Sequence, residues 1–159
     1  WFRFEWQFAV GAILATLHDV IMTIGFFVFT GIEFNLSSIA AILTILGYSL
    51  NDTIVVFDRI RDNMRGMRKK SITEIIDTSI NQTLSRTLLT SLTTLLVVIC
   101  LFVLGGAVIN NFAFALLIGV LVGTYSSIYT ASATALALNV SPQDLIEPIK
   151  DASLIDDLP

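Results

Sequence analysis

Four long apolar segments limit what this chain of 159 residues can fold into. A transmembrane helix needs about 20 mostly apolar residues to cross about 30 Å of hydrocarbon. Four stretches meet that requirement, at about 8–29, 36–60, 84–104 and 112–138. Strands rarely exceed about ten residues, so these segments are helices. Because 55% of the residues are hydrophobic and only 14% are charged, a soluble domain of this length could not bury the apolar surface. We therefore expect an all-α, polytopic membrane helix bundle.

The basic residues indicate how the bundle is oriented. Seven of the nine Lys and Arg residues lie between Arg59 and Arg86, and the other two flank the outer ends of the four segments. By the positive-inside rule, this connector and both ends of the chain face the cytoplasm. The short connectors at about 30–35 and 105–111 hold no basic residue and are expected to face outward.

The same patterns divide the chain into three parts. Residues 1–7 combine aromatic residues with an arginine, which is typical of the interfacial end of a preceding transmembrane helix or of a free N-terminal anchor. Residues 8–140 form the four-helix domain, with the basic connector at about 59–86. Residues 141–159 hold three prolines and five acids, as a solvated cytoplasmic tail does. Within the connector, Ser71 and Glu74 have the spacing of a capping box, so an amphipathic helix should lead into the third span.

Asp52 is the most informative charge, because it lies inside the second apolar segment. A charged group near the middle of a membrane helix costs about 2.5–3.5 kcal/mol on insertion scales, so it usually faces the bundle interior or water. Burial disfavours the charged form of a carboxyl, whereas a nearby cation stabilises it. A carboxyl held between these influences can bind and release a proton. The other interpretation is a hydrogen-bonded strut between helices.

Arg86, at the start of the third segment, is the cation that this hypothesis needs. Arginine does not give up its proton in a protein, so it would act as a fixed charge that pairs with the carboxylate of Asp52. Thr83, Thr87, Thr90 and Thr94 continue a stripe with Arg86 at spacings of three and four. The simpler alternative is that Arg86 extends to the cytoplasmic headgroups.

Further polar residues form a candidate secondary site. His18 and Asp19 lie near the middle of the first segment, and Asn51 adjoins Asp52. A second protonatable site is one hypothesis, since histidine titrates in the physiological range. The sequence favours a packing pair. One histidine among scattered acids lacks the spacing of metal ligands, so we expect neither a metal nor another cofactor.

Small residues predict where helices pack. Gly119 and Gly123 form a GxxxG pattern in the fourth segment, which allows two helices to approach closely. The small polar residues that follow suit either helix packing or a wet cavity, and the pattern favours packing. Cys100, within the third segment, is interpreted as a small apolar packing residue.

Several segments together resemble SecF, a subunit of the SecDF protein-export complex. The segment from Gly47 to Asn63, GYSLNDTIVVFDRIRDN, is similar to the SecF signature. Residues 17–19, 81–90 and 123–128 resemble other SecF segments in the same order, and the likeness ends at about Ser141. The combination is specific to the family, whereas each segment alone is not.

The resemblance implies a bacterial inner-membrane subunit that pairs with SecD and is related in architecture to the RND transporters. Such a subunit assists the Sec translocon (SecYEG) and its accessory membrane subunits. In that family, inward proton flow drives a periplasmic domain that pulls on the exported polypeptide. The resemblance matches Asp52, Arg86 and Thr90 to the family's membrane acid, arginine and threonine, while a further proton-carrying aspartate belongs to SecD.

Relative to full-length SecF, the chain lacks the first membrane helix, the periplasmic domain and most of the next helix. We therefore expect the chain to hold half of a proton site within the lipid bilayer. We expect no enzymatic activity and no nucleic-acid partner. Two rival hypotheses stay open. One is a passive scaffold for SecD and the translocon. The other is an intramembrane hydrolase that uses His18 with a serine, for which the sequence shows no nucleophile elbow.

Overall fold

The computed structural model describes residues 2–67 and 70–138, with side chains from Gln7 onward. In these ranges the chain is helical and contains no strand. The helices are α1 (Phe2–Thr30), α2 (Leu36–Gly66), α3 (Ile72–Leu104), α4 (Gly106–Ile128) and α5 (Thr130–Ala137). Four spans in these ranges are long and apolar enough to cross a membrane: Gln7–Thr30, Leu36–Gly66, Ile72–Leu104 and Gly106–Ala137. The predicted all-α bundle is confirmed.

Capping residues set the starts of α2 and α3. The side chain of Asn35 accepts a hydrogen bond from the Ser38 amide at 3.2 Å, and the Ser38 hydroxyl accepts one from the Asn35 amide at 3.4 Å. Ser71 and Glu74 form the same reciprocal arrangement at α3, as their spacing predicts. Each box provides side-chain acceptors for two amides at the helix start.

The prediction of a loop at 105–111 is wrong, because α4 already begins at Gly106. Gly105 caps α3, and its amide bonds to the Leu101 carbonyl at 2.8 Å. Gly106 has a φ of 71°, in the left-handed region that glycine adopts without steric cost. Two consecutive glycines therefore reverse the chain, and the following residues join the helix. The Asn110 side chain also donates to the Phe102 carbonyl across the turn at 3.3 Å.

Other boundaries also differ from the sequence predictions. Helix α1 runs without a break from Phe2, so residues 2–7 continue the first span and are not a separate preceding helix. The helix predicted to start at the Ser71–Glu74 box is confirmed, and it forms one continuous helix with the third span from Ile72. Only Met67–Ser71 separates α2 from α3. The fourth span is interrupted at Tyr129. The predicted tail at 141–159 lies outside the described residues.

Two apolar clusters form the core. The basic-end cluster packs α1, α2, α3 and α5 together near the Met67–Ser71 connection; its buried members are Ala15, Val56, Phe57, Ile60, Met64, Ile75, Ile76, Ala131 and Ala135. The short-loop cluster packs all four spans near the opposite end; its buried members are Phe27, Ala41, Ile45, Val98, Ala115 and Leu116. Burial of these side chains holds the helices against one another.

The outer surface of the bundle is largely apolar. Helix α3 is the least buried span, since 17% of its most apolar window is inside the structure compared with 28–33% for the others. It exposes Leu88, Leu92, Leu96 and Val103. Cys100 is exposed on the same helix, so our interpretation of it as a packing residue is wrong within this chain. Such a surface suits contact with lipid or with another membrane subunit.

Candidate functional site

A layer of polar side chains separates the two apolar clusters. Along each span, the buried residues change from apolar to polar and back to apolar. The buried members of this polar layer are Asp19, Thr23, Ser49, Asp52, Thr53, Thr87, Ser91, Ser126 and Ser127. Polar groups at this depth face the interior of a membrane bundle because lipid offers them no hydrogen bonds. The polar layer therefore holds the buried side chains that can form hydrogen bonds or exchange protons between helices.

Asp19 is the most deeply buried carboxyl of this layer, with no exposed surface. Its Oδ2 accepts a hydrogen bond from the Ser49 hydroxyl of α2, and its Oδ1 lies 3.2 Å from His18 Nδ1. The structure thus joins His18 and Asp19 of the candidate secondary site. Asn51 is exposed and does not take part. Among the described residues, no serine hydroxyl bonds to His18, which gives the hydrolase hypothesis no support.

Three hydroxyls form a second link, which connects α2, α3 and α4. The Tyr48 hydroxyl donates to Ser91 Oγ at 3.0 Å, and Ser91 Oγ lies 2.6 Å from Thr124 Oγ1. Thr124 Oγ1 in turn donates to the Val120 carbonyl at 2.6 Å. Because each hydroxyl has one proton to donate, the three bonds run in one direction from Tyr48 to Val120.

Asp52 differs from Asp19 because no hydrogen bond to its carboxyl is found among the described residues. Its side chain is 4% exposed. Its Oδ2 is buried and has no hydrogen-bond partner among the described residues, and the same holds for the Thr53 and Thr87 hydroxyls. Buried polar atoms without partners are rare, and each requires a proton, water or a functional explanation. Of the two carboxyls in this layer, Asp52 is therefore the one whose protonation is less constrained by hydrogen bonds from the protein.

Arg86 is the cation that acts on this carboxyl. Its guanidinium interacts electrostatically with Asp52, although the two side chains form no direct ion pair in the described part of the chain. Asp52 lies as far before the end of α2 at Gly66 as Arg86 lies after the start of α3 at Ile72. Antiparallel helices joined by a short connection bring such positions to the same depth.

The threonine stripe of α3 divides into two rows. Thr83 and Thr87 are buried in the bundle, whereas Arg86 and Thr90 are exposed at the surface of this chain. The Thr90 hydroxyl lies 3.1 Å from the Arg86 carbonyl and 3.0 Å from the Thr87 carbonyl, so it bonds within its own helix. The structure brings Arg86 to Asp52 but does not bond Thr90 to either side chain.

Gly119 and Gly123 lie where α4 approaches the other helices most closely. A Cβ atom on Gly119 would overlap the Ile45 side chain of α2. A Cβ on Gly123 would lie 3.5 Å from Ser49 Cβ and 3.6 Å from Asp19 Oδ2. The two glycines thus seat α4 against α2 and against the Asp19–Ser49 hydrogen bond.

Sequence reasoning missed the bond between Asp19 and Ser49 and the chain of three hydroxyls. A signal for the first was present. Asp19 lies nearly as far before the end of α1 at Thr30 as Ser49 lies after the start of α2 at Leu36. Positions at similar distances from a short turn between antiparallel helices lie side by side. The hydroxyl chain depends on helix rotation, which spacing alone does not reveal.

Comparison with known proteins places the chain among protein-export subunits. Residues 1–141 match the family described as "Protein export membrane protein SecD/SecF, C-terminal". The protein translocase subunit SecF of Vibrio alginolyticus is 58% identical over 159 residues, which cover 99% of this chain and 50% of that protein. The protein translocase subunit SecDF of Brucella abortus is 52% identical over 144 residues, which cover 91% of this chain and 19% of that one.

A solved structure shares the arrangement of the helices. The crystal structure of SecDF from Thermus thermophilus superimposes with a TM-score of 0.81 at 53% identity, over 86% of this chain and 19% of that one. The chain thus spans about half the length of the SecF relative that it matches.

Proposed function

This chain belongs to the SecD/SecF family of protein-export membrane proteins, and on that premise we propose that it couples inward proton flow to protein export. Its helices would form the membrane half of a SecF subunit in the bacterial inner membrane. The premise rests on the match over residues 1–141. The proposal that proton flow drives export rests on the side chains of the polar layer. Each charge that crosses a potential of 100 mV releases about 2.3 kcal/mol, enough in repeated cycles to bias a conformational change.

The single observation that carries the proposal is the environment of Asp52. The carboxyl is buried, one of its oxygens has no hydrogen-bond partner among the described residues, and a permanent cation at the same depth acts on it. A carboxyl in such surroundings can change its protonation state without breaking a hydrogen bond to its neighbours. Asp52 would take a proton from the outer side and release it to the cytoplasm.

Arg86 would stabilise the anion of Asp52 after the proton has left. Its exposure at the surface of this chain supports the further proposal that another subunit covers it, because an arginine facing lipid is costly. Thr90 lies one turn away on the same face and would complete the polar contact with that subunit. The SecDF relative and the solved SecDF structure support SecD as the covering subunit. Contacts with the translocon and with the exported polypeptide would be made by the full-length protein.

Substitution of Asp52→Asn in the full-length protein tests the proposal. The asparagine keeps the size and polarity of the side chain but cannot carry a proton. We expect SecD association to persist, while the proton-dependent component of export in membrane vesicles falls to the level seen with an ionophore. Asp77→Asn is the matched control, because it removes an exposed carboxyl near the start of α3.

The passive scaffold predicts the opposite result. In that case Asp52→Asn and Arg86→Gln would leave proton-dependent export unchanged, and only bulky residues at Gly119 or Gly123 would impair assembly. Unaltered export by an assembled Asp52→Asn complex would therefore replace proton coupling with a scaffold function.

A further inference from the structure

A polar cleft between α2 and α3 opens next to the Asp52–Arg86 pair. Its volume is about 150 Å³, which is room for several water molecules. Among the side chains that line it are Val55, Asp58, Arg59, Asp62, Thr83 and Arg86. The cleft lies towards the basic end of the bundle, since Asp58, Arg59 and Asp62 belong to the last turns of α2.

The lining of the cleft requires water. Two carboxylates and two guanidinium groups face it, and in the described part of the chain none of the four forms a direct ion pair. Charged groups without partners are not stable in a dry cavity or against hydrocarbon. We therefore expect water to fill the cleft.

The cleft begins within one helical turn of Asp52, at Val55. Val55 follows Asp52 by three residues, so the two lie on the same side of α2. Asp58 lies six residues beyond Asp52, about 9 Å along the helix axis. Arg86 both lines the cleft and acts electrostatically on Asp52, so it links the cleft to the buried carboxyl.

Hydrogen bonds between the helices keep the walls of the cleft in place. The buried side chain of Asn63 donates to Ser79 Oγ at 2.8 Å and to Gln82 Oε1 at 2.9 Å. Gln82 itself lines the cleft. Since Asn63 belongs to α2 and the other two residues to α3, these bonds hold the helices together at the basic end.

We infer that this cleft is the water-filled route by which a proton released from Asp52 reaches the cytoplasm, with Asp58 as the carboxylate that receives it. The inference deepens the proposed function and rests on it. The O–H bond of protonated Asp52 breaks, and the proton passes to a water molecule of the cleft to form hydronium. Hydronium transfers the proton to the Asp58 carboxylate, which releases it to bulk water. Asp52 is left as an anion beside Arg86, and no electrons are transferred.

Thiol labelling tests whether the cleft is wet. In the full-length protein with SecD, with Cys100 and any other cysteine replaced, single cysteines are placed at Val55 or Thr83. A charged, membrane-impermeant thiol reagent is added from the cytoplasmic side. Leu88→Cys is the matched control, because it is exposed on α3 without lining the cleft. We expect both cleft cysteines to react about tenfold faster than the control or more, since the thiolate that reacts forms only in water.

Proton flux in proteoliposomes tests the role of Asp58. We expect Asp58→Asn to slow the flux by about tenfold or more, as loss of a positioned proton-transfer group does. Asp58→Glu restores the carboxylate and should restore the flux, and Asp77→Asn should have no effect. Val55→Cys should label equally well with Asn at position 58, which shows that the cleft itself is unchanged.

The results distinguish failure of this inference from failure of the proposed function. If Asp52→Asn abolishes proton flux but the cleft cysteines react no faster than Leu88→Cys, the route of exit is wrong and the proposed function stands. Normal flux in Asp58→Asn would likewise reject Asp58 as the proton acceptor. If Asp52→Asn leaves proton flux intact, the proposed function fails, and the inference fails with it.

Discussion

The hydrogen bond between Asp19 and Ser49 shows how much a single hydroxyl can contribute to stability inside a membrane bundle. In water, a carboxyl that loses one donor replaces it with solvent. Asp19 has no exposed surface, so the loss of Ser49 Oγ leaves one of its oxygens without a partner. An unsatisfied buried polar group costs about 1–3 kcal/mol. The polar layer is thus held by individual bonds whose removal should be measurable.

Substitution of Ser49→Ala should therefore destabilise the bundle by about 1–3 kcal/mol. The measurement is the apparent melting temperature of the detergent-solubilised full-length protein. Ser85→Ala is the control, because Ser85 is an exposed serine on α3, and it should leave the melting temperature unchanged. Equal melting temperatures for the two variants would mean that the Asp19–Ser49 bond does not stabilise the bundle.

At the scale of the helices, one close contact sets the distance between α2 and α4. Gly119 lies directly against Ile45, and the position has no room for a Cβ atom. The same contact brings Gly123 to the Asp19–Ser49 bond. Packing between these two helices therefore determines whether the polar residues of α1, α2 and α4 meet.

We expect Gly119→Ala to destabilise the bundle by about 1–3 kcal/mol, the usual cost of an overpacked core. Gly47→Ala is a matched control within a span, since nothing lies within 4 Å of a Cβ at that position. Alanine there should be neutral or stabilising by up to about 1 kcal/mol. Thermal unfolding of the full-length protein measures both variants.

A double-mutant cycle tests whether overlap with Ile45 causes the loss of stability in Gly119→Ala. If the overlap with Ile45 is responsible, Gly119→Ala should cost less when Ile45 is already alanine. An unchanged cost in that background would place the effect of the methyl group elsewhere.

Much of the fold could be predicted from the sequence, because apolar length and capping chemistry are local properties. The four spans and both residues of the Ser71–Glu74 box follow from neighbouring residues alone. The start of α4 could not be predicted from the two glycines, since a Gly-Gly pair suits either a loop or a tight turn. The partners of Asp19 and Ser91 depend on the rotation and height of other helices, which are set by contacts such as Gly119 against Ile45.

The candidate site shows the same division. The position of Asp52 within a span was enough to mark it as a candidate proton carrier, and Arg86 as its candidate counter-charge. The exposure of Arg86 and Thr90 could not be predicted. Residues spaced along one stripe share a face of the helix, but their spacing does not reveal which element, if any, packs against that face.

At the scale of the whole molecule, the distribution of charge predicts the orientation of the bundle in the membrane. Basic residues cluster around the Met67–Ser71 connection, whereas the connection around Glu33 holds none. The bilayer resists movement of basic loops to the outer side. The proton route proposed here has its cytoplasmic opening at the same basic end.

Cysteines on the two sides test this orientation. With Cys100 replaced, we expect Glu33→Cys to react with an impermeant thiol reagent in intact spheroplasts. Lys70→Cys should react only in inside-out vesicles. Both residues are exposed between helices, so a difference between them reports sidedness. The reverse pattern would invert the topology and place the opening of the cleft on the outer side.

The turn at Gly105 and Gly106 has a mechanical consequence. With α4 beginning directly after the cap of α3, the connection has no slack to absorb an axial displacement. A pull on α3 is transmitted to α4, so Arg86 and Thr124 would shift by similar amounts relative to α1 and α2. Such a shift would act on the Gly119–Ile45 contact and on the Tyr48–Ser91–Thr124 hydroxyls, which join α2 to both of these helices.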